Sequence, residues 1–328
     1  MRSLRAYAVL AALVLSQAAF AQALPGGCRI GEQANIPLTF TDDLRPVAQA
    51  AIGSASVPVM LSTAAQESAV FNKKVLERLG IPVRSTTSRL FAADARNDTG
   101  VDILREIMIA PIKDFSFGPN QGKSGDFPVE DFMDDTFGVR IGAGVLLKHD
   151  LEVALDAGYL KVFQPKGCFR EHLAYWDPQA VAVMSMGDPW KRDSRVVFHV
   201  RINGQTITAL LSTSTPQSYL PKAAAARLGL TPDSPGALRE DPLPGDKADK
   251  PVWKLPLPLL TIGALEVKDL DLRLMDLPHS GEILVLGADF LHRHRVYIAI
   301  SQQKIYFSPI ATPRVMKRGK VDVIPQTL

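Results

Sequence analysis

The sequence predicts an all-β fold made of two similar lobes with short helices, and three observations lead to it. The chain has 328 residues, which corresponds to two domains at about 150 residues each. It contains 23 glycines and 24 prolines spread along its length and only 7% aromatic residues, which is typical of many short strands joined by turns. Three sequence blocks recur in the same order in the two halves. A hydrophobic content of 46% with 22% charged residues excludes a disordered chain or a coiled coil.

The N-terminus has the pattern of a cleavable signal peptide. A basic start with Arg2 and Arg5 precedes an apolar run over 6–19, and Ala19-Phe20-Ala21 is a small-x-small cleavage site. The apolar run is shorter than the roughly 20 residues that cross a bilayer, so we expect no stable membrane insertion. The predicted location is the periplasm or the outside of the cell, with cleavage after Ala21.

The net charge and the cysteine content argue against nucleic-acid binding and metal binding. Without Arg2 and Arg5, 35 of the 37 basic residues remain against 34 acidic ones, so the mature chain is near neutral and no nucleic-acid partner is predicted. Cys28 and Cys168 favour one disulfide in an oxidising compartment, with two unpaired thiols as the alternative. Cysteines so far apart lack the spacing of metal ligands, so no metal and no cofactor are expected.

The internal repeat defines the predicted organisation. Residues 61–68 recur as 211–218, residues 77–81 recur as 226–230, and residues 141–149 recur as 286–294. A pair of strands follows the last block in each half. We interpret the chain as a duplication, and its predicted parts are a signal peptide (1–21), an N-terminal lobe (30–168), a junction (169–189), a C-terminal lobe (177–310) and a tail (311–328).

Local signals define the elements within each lobe. Residues 196–202 and 205–211 are predicted to form a hairpin around Asn203-Gly204, the strongest short hairpin signal. Short helices are predicted over 71–79 and 221–228, ending at Gly80 and Gly229, with Pro221 in a first turn. The terminal strand pairs are predicted at 151–155 with 159–163, and at 296–300 with 304–307.

These blocks resemble the retropepsin-like and pepsin-like aspartic peptidases. The resemblance rests on Leu-Ser-Thr after an apolar strand, a short helix ending in Arg-Leu-Gly, and the later segments Ile141-Gly142 and Leu286-Gly287, the second within Leu-Gly-Ala-Asp-Phe-Leu. It implies a bilobal acid-protease-like fold, in which a pseudo-twofold axis relates the lobes. It also implies a catalytic dyad with one aspartate from each lobe, in which the two carboxyls share a proton.

The chain departs from that family at the positions that carry the chemistry. Ser62 and Ser212 occupy the two aspartate positions, so no catalytic residue of the family is intact. Ala64 and Ser214 replace the glycines of the two motifs. A hydroxyl is not a general base without a neighbour that takes its proton. The resemblance implies that the retained Thr63 and Thr213 bridge the lobes by hydrogen bonds beneath the dyad position.

Asp98-Thr99-Gly100 spells the family motif at another place. The preceding Arg96-Asn97 is polar where the family has apolar strand residues, so the segment is interpreted as the turn of a flap hairpin between 88–93 and 101–110. A displaced catalytic aspartate at Asp98 is the alternative.

Several other residues suggest a catalytic or metal site but are predicted to have structural roles. A serine nucleophile needs a nearby base, and none of the six histidines lies in a repeat block that the resemblance places at the cleft; they are His149, His172, His199, His279, His292 and His294. Ser62 and Ser212 are therefore expected to hydrogen-bond to each other or to water. His292 and His294 are predicted on the surface, not as a metal pair. Asp289 is predicted to cap a helix. Two further groups are predicted as a solvated acidic loop (Asp131, Asp134 and Asp135) and as core (Phe115, Phe117, Phe127 and Phe132).

The predicted function is an exported, aspartic-peptidase-like protein that has lost catalysis and binds an extended peptide or a protein partner in the cleft between the lobes. Its predicted binding residues are Ser62, Thr63, Ser212, Thr213, Asp98, Thr99 and Gly100. An active aspartic endopeptidase that uses non-standard acids is the alternative, and an assembly factor with a collapsed cleft is a third hypothesis. The sequence does not predict the oligomeric state.

Overall fold

The computed structural model is mostly β with only short helices, which confirms the predicted all-β class. The structure describes residues 22–23, 27–93, 100–132, 135–186, 194–241, 251–257, 259–276 and 282–311. Of residues 22–23, 88–93 and 100–105 it describes the backbone alone. The predicted signal peptide and nearly all of the predicted tail therefore lie outside the described residues. No helix within the described ranges is long and apolar enough to span a membrane.

The first half, up to residue 168, contains strands β1 to β12 and two α-helices. The strands are β1 (Gln22–Ala23), β2 (Arg29–Pro37), β3 (Thr39–Phe40), β4 (Pro46–Ile52), β5 (Ala55–Ser62), β6 (Ala69–Asn72), β7 (Arg84–Ala93), β8 (Gly100–Phe117), β9 (Asn120–Glu130), β10 (Val139–Gly142), β11 (Asp150–Ala154) and β12 (Tyr159–Lys166). The helices are α1 (Lys73–Arg78) and α2 (Ala143–Leu146), and a 3₁₀ turn covers Leu155–Ala157.

The second half, from residue 177, contains strands β13 to β24 and two further helices. The strands are β13 (Val181–Met184), β14 (Val197–Ile202), β15 (Gln205–Leu211), β16 (Tyr219–Pro221), β17 (Leu238–Glu240), β18 (Val252–Pro256), β19 (Leu260–Ile262), β20 (Leu265–Val267), β21 (Asp271–Met275), β22 (Ile283–Leu286), β23 (His294–Ala299) and β24 (Lys304–Pro309). The helices are α3 (Lys222–Arg227) and α4 (Ala288–Leu291), and a 3₁₀ turn covers Ile300–Gln302.

Each half forms a sheet, and the two sheets share one topology. The order is β4-β5-β10-β6-β9-β8-β7 in the first half and β14-β15-β22-β16-β21-β18-β17 in the second. The sense of pairing also agrees: β5–β10 and β15–β22 are parallel, as are β6–β9 and β16–β21, and the other neighbours in these two orders are antiparallel. The chain thus follows the same path through these seven strands of both sheets. Beyond them, β3 pairs with β4 at the edge of the first sheet, and the β19–β20 hairpin extends the second beside β14.

A third, seven-stranded sheet takes strands from both halves. Its order is β1-β2-β12-β11-β23-β24-β13, with β11 and β23 antiparallel at its centre. The terminal strand pairs predicted from the sequence are β11–β12 and β23–β24. The lobe boundaries at 30–168 and 177–310 stay a prediction, since this sheet belongs to neither half alone.

The apolar pattern of the strands explains the core. Alternate residues of β5, namely Val57, Val59 and Leu61, are 0% exposed and join one large cluster that extends through both halves. Phe115, Phe117 and Phe132 are buried as predicted, and Phe127 packs edge-on against Phe115. The disulfide joins Cys28 and Cys168, so it ties the start of β2 to the end of β12.

The turn signals are found where they were predicted. Asn203 and Gly204 both have positive φ, 49° and 79°, the conformation that an Asn-Gly hairpin turn requires. Helices α1 and α3 are followed by the left-handed Gly80 and Gly229, at φ 68° and 74°. The prediction for Pro221 was wrong by one position, because Pro221 is the N-cap residue of α3 and precedes its first turn.

Candidate functional site

Two equivalent loops meet at the centre of the molecule. The first begins where β5 ends at Ser62, which lies beside Gly142 of the parallel strand β10. The second begins after β15, where the Ser212 amide donates to the Leu286 carbonyl of the parallel strand β22 at 2.9 Å. Because each loop follows the strand that pairs in parallel with its neighbour, the topology alone brings residues 62–65 and 212–215 to matching places.

Close backbone packing explains the glycine that ends β10 and the glycine after β22. A Cβ on Gly142 would lie 2.0 Å from the Glu67 carbonyl oxygen, and a Cβ on Gly287 would lie 2.7 Å from the Thr215 carbonyl oxygen. The loops are held there by amide bonds from Ala143 to the Ala65 carbonyl and from Ala288 to the Thr215 carbonyl, both at 2.8 Å. Each loop is therefore held by the start of a short helix that follows the glycine.

Thr63 and Thr213 join the two loops by reciprocal hydrogen bonds. The Thr63 hydroxyl donates to the Leu211 carbonyl at 2.7 Å, and the Thr213 hydroxyl donates to the Leu61 carbonyl at 2.6 Å. Each hydroxyl also accepts from the other threonine's amide, at 3.2 and 3.3 Å. Both residues are buried, at 2% and 0% exposure. The arrangement is symmetric and it matches the bridging that the family resemblance implies.

The serines next to these threonines are not symmetric. Ser62 Oγ lies 2.7 Å from Ser214 Oγ and accepts from the Ala65 amide at 3.1 Å. Ser212 Oγ lies 2.7 Å from Thr215 Oγ1 and 3.5 Å from Ser214 Oγ. Of the two expected arrangements, a direct bond between Ser62 and Ser212 is wrong, whereas bonding to water stays a prediction. Each serine bonds to a hydroxyl of the second loop, and Ser214 lies between them.

This hydroxyl cluster is neutral and largely closed to solvent. Ser62 is 2% exposed and Ser212 is 0% exposed. Within the described residues, the hydroxyl groups of Ser62, Ser212 and Ser214 bond to other hydroxyls and to one backbone amide. Such a cluster holds no group that changes charge at ordinary pH.

Asp289 has a different role from the predicted helix cap. The N-cap of α4 is Gly287, and Asp289 lies in the first turn. Its carboxylate accepts from the Ser218 amide at 2.9 Å, from the Ser218 hydroxyl at 2.8 Å and from the Phe290 amide at 2.8 Å. Burial raises the pKa of Asp289 above its ordinary value, although these hydrogen bonds oppose the shift. The residue fastens the end of the second loop to α4.

His292 and His294 are buried, so their predicted surface position was wrong. His292 Nε2 is 2.9 Å from the Leu44 carbonyl of the first half, and His294 Nδ1 is 2.9 Å from the Phe290 carbonyl. Burial lowers the pKa of both imidazoles. No group of three or more His, Cys, Asp or Glu side chains in the described part of the chain is arranged to hold a metal ion.

The remaining predicted residues lie at or near a long hairpin. Strands β7 and β8 pair over ten residue pairs. Asp98 and Thr99, predicted as the turn of this hairpin, lie outside the described residues. Gly100 is the first residue of β8. The nearby Asp131 and Asp135 are exposed, as predicted for a solvated loop, and both pair with Lys74, whereas Asp134 is outside the described residues.

A cavity of about 750 Å³ lies between the first loop and the base of this hairpin. Sequence reasoning missed it. It is lined by Gln66, Glu67, Val70, Ser85, Glu106, Ile107, Met108, Pro128, Val129 and Glu130. Glu67 follows the Leu-Ser-Thr block and could have been noticed there. Glu106 and Glu130 carry no local signal, because they come near Glu67 only through the pairing of β8 with β9 and of β9 with β6.

The comparison with protein families matches one part of the chain. Residues 198–293 match the family model described as gag-polyprotein putative aspartyl protease. The match runs from β14 to the residues after α4, so it contains the second loop and the helix that holds it. The comparison with curated proteins gives no significant match. The second half is therefore similar to an aspartyl protease, and the protein is protease-like in this respect.

Proposed function

We propose that the protein is an exported, duplicated aspartic-protease-like protein that has lost catalysis and binds an extended peptide in the cleft between its halves. In this proposal Ser62 and Ser212 stand where active relatives carry the two catalytic aspartates.

The duplication is supported by the shared sheet topology. Seven strands of each half follow one order with one pattern of parallel and antiparallel pairing. The repeat blocks fall on equivalent places of the two sheets: the loops after β5 and β15, the turns after α1 and α3, and the ends of β10 and β22. Since the family match covers the second half only, the first half is proposed to have diverged further in sequence.

The hydroxyl cluster carries the proposal that catalysis is lost. An aspartic dyad works because one carboxylate takes a proton from water while the other carboxyl donates one. Ser62, Ser212 and Ser214 have hydroxyl neighbours instead, and a hydroxyl paired with another hydroxyl takes no proton from water. The scaffold of the site is kept, since both bridging threonines and both tightly packed glycines are present.

Peptide binding is supported by an available sheet edge near the first loop. Strand β7 is the last strand of its sheet, and no described strand pairs with its outer side, so an added strand could pair there. Extended peptides bind in this way, with main-chain hydrogen bonds for affinity and side-chain cavities for specificity. The cavity beside β7 and β8 offers such a place for a side chain.

Export is supported by the sequence pattern of residues 1–21 and by the disulfide. The bond between Cys28 and Cys168 suits an oxidising compartment. It closes a loop of 140 residues, so the proposed mature chain retains it as a constraint across the first half.

The test is a cleavage assay with a matched variant that restores the dyad. A diverse peptide mixture is incubated with the purified mature protein from about pH 3 to 8, the range over which carboxylate dyads share a proton, and the products are identified by mass spectrometry. The variant carries Ser62→Asp, Ser212→Asp, Ala64→Gly and Ser214→Gly. Circular dichroism shows whether each protein is folded.

We expect no cleavage by the folded wild-type protein and acid-optimal cleavage by the restored variant. Cleavage by the wild type that a transition-state-mimicking inhibitor of aspartic peptidases blocks would contradict the loss of catalysis, and Asp98 would then be the first residue to replace. If no peptide of the mixture binds to the wild type or to the restored variant in an equilibrium binding assay, the proposed open cleft is contradicted.

A further inference from the structure

The cavity beside the first loop has an apolar lining and an acidic rim. Its apolar lining residues come from three strands: Val70 from β6, Ile107 and Met108 from β8, and Pro128 and Val129 from β9. Ile107, Met108 and Pro128 are the ones whose side chains remain accessible, since Val70 and Val129 are buried. Three carboxylates, Glu67, Glu106 and Glu130, lie around this lining. Each of the three is exposed, so all are available to a ligand that enters from solvent.

The described cations neutralise this rim only in part. Arg140 Nη2 donates to Glu130 at 2.9 Å and lies 3.4 Å from Glu67, so one guanidinium serves two carboxylates. Glu106, on β8, forms no ion pair with any described side chain. Among the described side chains, three carboxylates therefore share one cation, Arg140, at the rim of a partly apolar cavity.

We propose that this cavity binds the side chain of an arginine or lysine of the extended peptide, an inference that rests on the proposed function. The aliphatic stem of such a side chain packs on Ile107, Met108 and Pro128, which are partly or fully exposed, and its charged end meets Glu106 and the rim. Long basic side chains suit this arrangement, because they bury their methylene groups while the charge stays near water or near a counter-ion. An apolar side chain would reduce the solvation of Glu106 and bring no cation to it.

The first arm of the test probes the cavity without a peptide. The full mature protein is labelled with ¹³C at its methionine methyl groups and titrated with N-acetyl-arginine amide or with N-acetyl-norleucine amide. We expect the Met108 signal to shift with the arginine probe and to shift less with the norleucine probe. Met184 and Met275, on β13 and β21 of the second half, are the internal controls and are expected not to move.

The second arm uses peptides. Fluorescent peptide pools that differ only in one fixed residue, which is Arg, Lys, norleucine or Glu, are compared by fluorescence anisotropy. We expect the basic pools to bind about tenfold more tightly than the norleucine pool, as charge-assisted hydrogen bonds contribute more than neutral ones. Glu106→Gln is expected to reduce that ratio to about threefold or less. The control Glu266→Gln, at an exposed position of β20, is expected to leave it unchanged.

The two arms separate failure of this inference from failure of the proposed function. The inference is wrong, and peptide binding remains supported, if peptides bind with no preference for a basic residue and the Met108 methyl signal does not shift. A Met108 shift specific to arginine, with no binding of any peptide, would overturn the proposed function and support the cation site alone. If neither probe nor peptide binds, both are wrong.

Discussion

The two halves meet in two regions, and these regions are built on different principles. In the loop region, Thr63 and Thr213 exchange hydrogen bonds that are alike in both directions and involve no charge. In the seven-stranded sheet, β11 and β23 pair at the centre, and beside them Arg295 donates to Glu152 at 2.7 Å. Glu152 is 0% exposed, so this second region contains a fully buried carboxylate.

The difference indicates which region can change without loss of the fold. The sheet region joins the halves by a strand ladder, a charge pair and aromatic packing, with Arg295 lying 4.1 Å from the Trp176 ring centroid. The loop region contributes fewer hydrogen bonds. Ser62 and Ser212 have different hydrogen-bond partners, whereas Thr63 and Thr213 have equivalent ones. We infer that the sheet holds the halves together and that the threonines set the distance between the loops. The serine positions can then vary without loss of the contacts that join the halves.

The largest effect is expected from removal of Arg295. Arg295→Met leaves the buried Glu152 without its cation, so we expect a loss of about 3–5 kcal/mol in the free energy of unfolding. Tyr159 and Tyr175 would still donate to that carboxylate, from 3.0 and 2.7 Å, and a neutral amide would keep one acceptor for them. Adding Glu152→Gln to Arg295→Met is therefore expected to recover part of the loss. Urea denaturation measures both variants.

The matched control for this pair is Arg201→Met, at an exposed position of β14. It is expected to change stability by less than about 0.5 kcal/mol. An Arg295→Met variant as stable as that control would contradict the role given to the sheet region.

A smaller and equal effect is expected at the two threonines. Thr63→Val and Thr213→Val each remove one donor and one acceptor at a buried site, and each leaves backbone groups unpaired. We expect a loss of about 2–3 kcal/mol for either variant, with the two values agreeing within about 0.5 kcal/mol because the bonds are reciprocal. The exposed Thr206→Val on β15 is the control. Clearly unequal losses in the free energy of unfolding would contradict equal contributions from the two threonines.

Much of the fold was predictable because its signals are local. Asn203-Gly204 requires positive φ at both positions, and Gly80 and Gly229 each follow a helix in a left-handed conformation. The repeat blocks predicted which residues occupy equivalent places, and Thr63 with Thr213 followed from the resemblance.

The rest depends on which side chains meet after the halves assemble. The bond from Ser62 to Ser214 could not be distinguished from a bond to Ser212, because a rotamer decides between hydroxyls that lie close together. His292 is buried against the Leu44 carbonyl, a contact 248 residues away along the chain. The ion pair of Glu152 with Arg295 is also non-local, as is the acidic rim of the cavity. Neither could be predicted from the spacing of residues in the sequence.

Removal of the serine hydroxyls in the loop region is expected to lower the free energy of unfolding by less than removal of the threonine hydroxyls. Ser62→Ala and Ser214→Ala each remove the 2.7 Å bond between them, so we expect a loss of about 1 kcal/mol each. A double-mutant cycle on this pair is expected to show coupling of about 0.5–1.5 kcal/mol. The cycle on Ser62 and Ser212, which do not bond directly, is expected to show less. Stronger coupling between Ser62 and Ser212 would contradict the asymmetric arrangement.

The smallest effect concerns pH at a third contact between the halves. His292 of the second half bonds to the Leu44 carbonyl, and its ring lies 4.9 Å from the Phe40 ring between centroids. Burial lowers the pKa of His292 below its ordinary value of 6.5, so the unfolded chain binds the proton more readily than the folded one. The stability that this residue contributes is therefore present above about pH 6.5 and is lost as the pH falls through the lower, folded pKa.

The variant that tests this contact is His292→Gln, whose amide can still donate to the Leu44 carbonyl but does not titrate. Urea denaturation of wild type and variant at neutral pH and at about pH 5, one and a half units below the ordinary imidazole pKa, is expected to show a smaller decline for the variant. His294 has a pKa lowered in the same direction, so only part of the decline should disappear. The exposed His199→Gln on β14 is expected to decline as the wild type does. Equal declines for wild type and His292→Gln would mean that the contact near Leu44 opens before the imidazole is protonated. The loop region and the sheet would then be the two places that hold the halves together at acid pH.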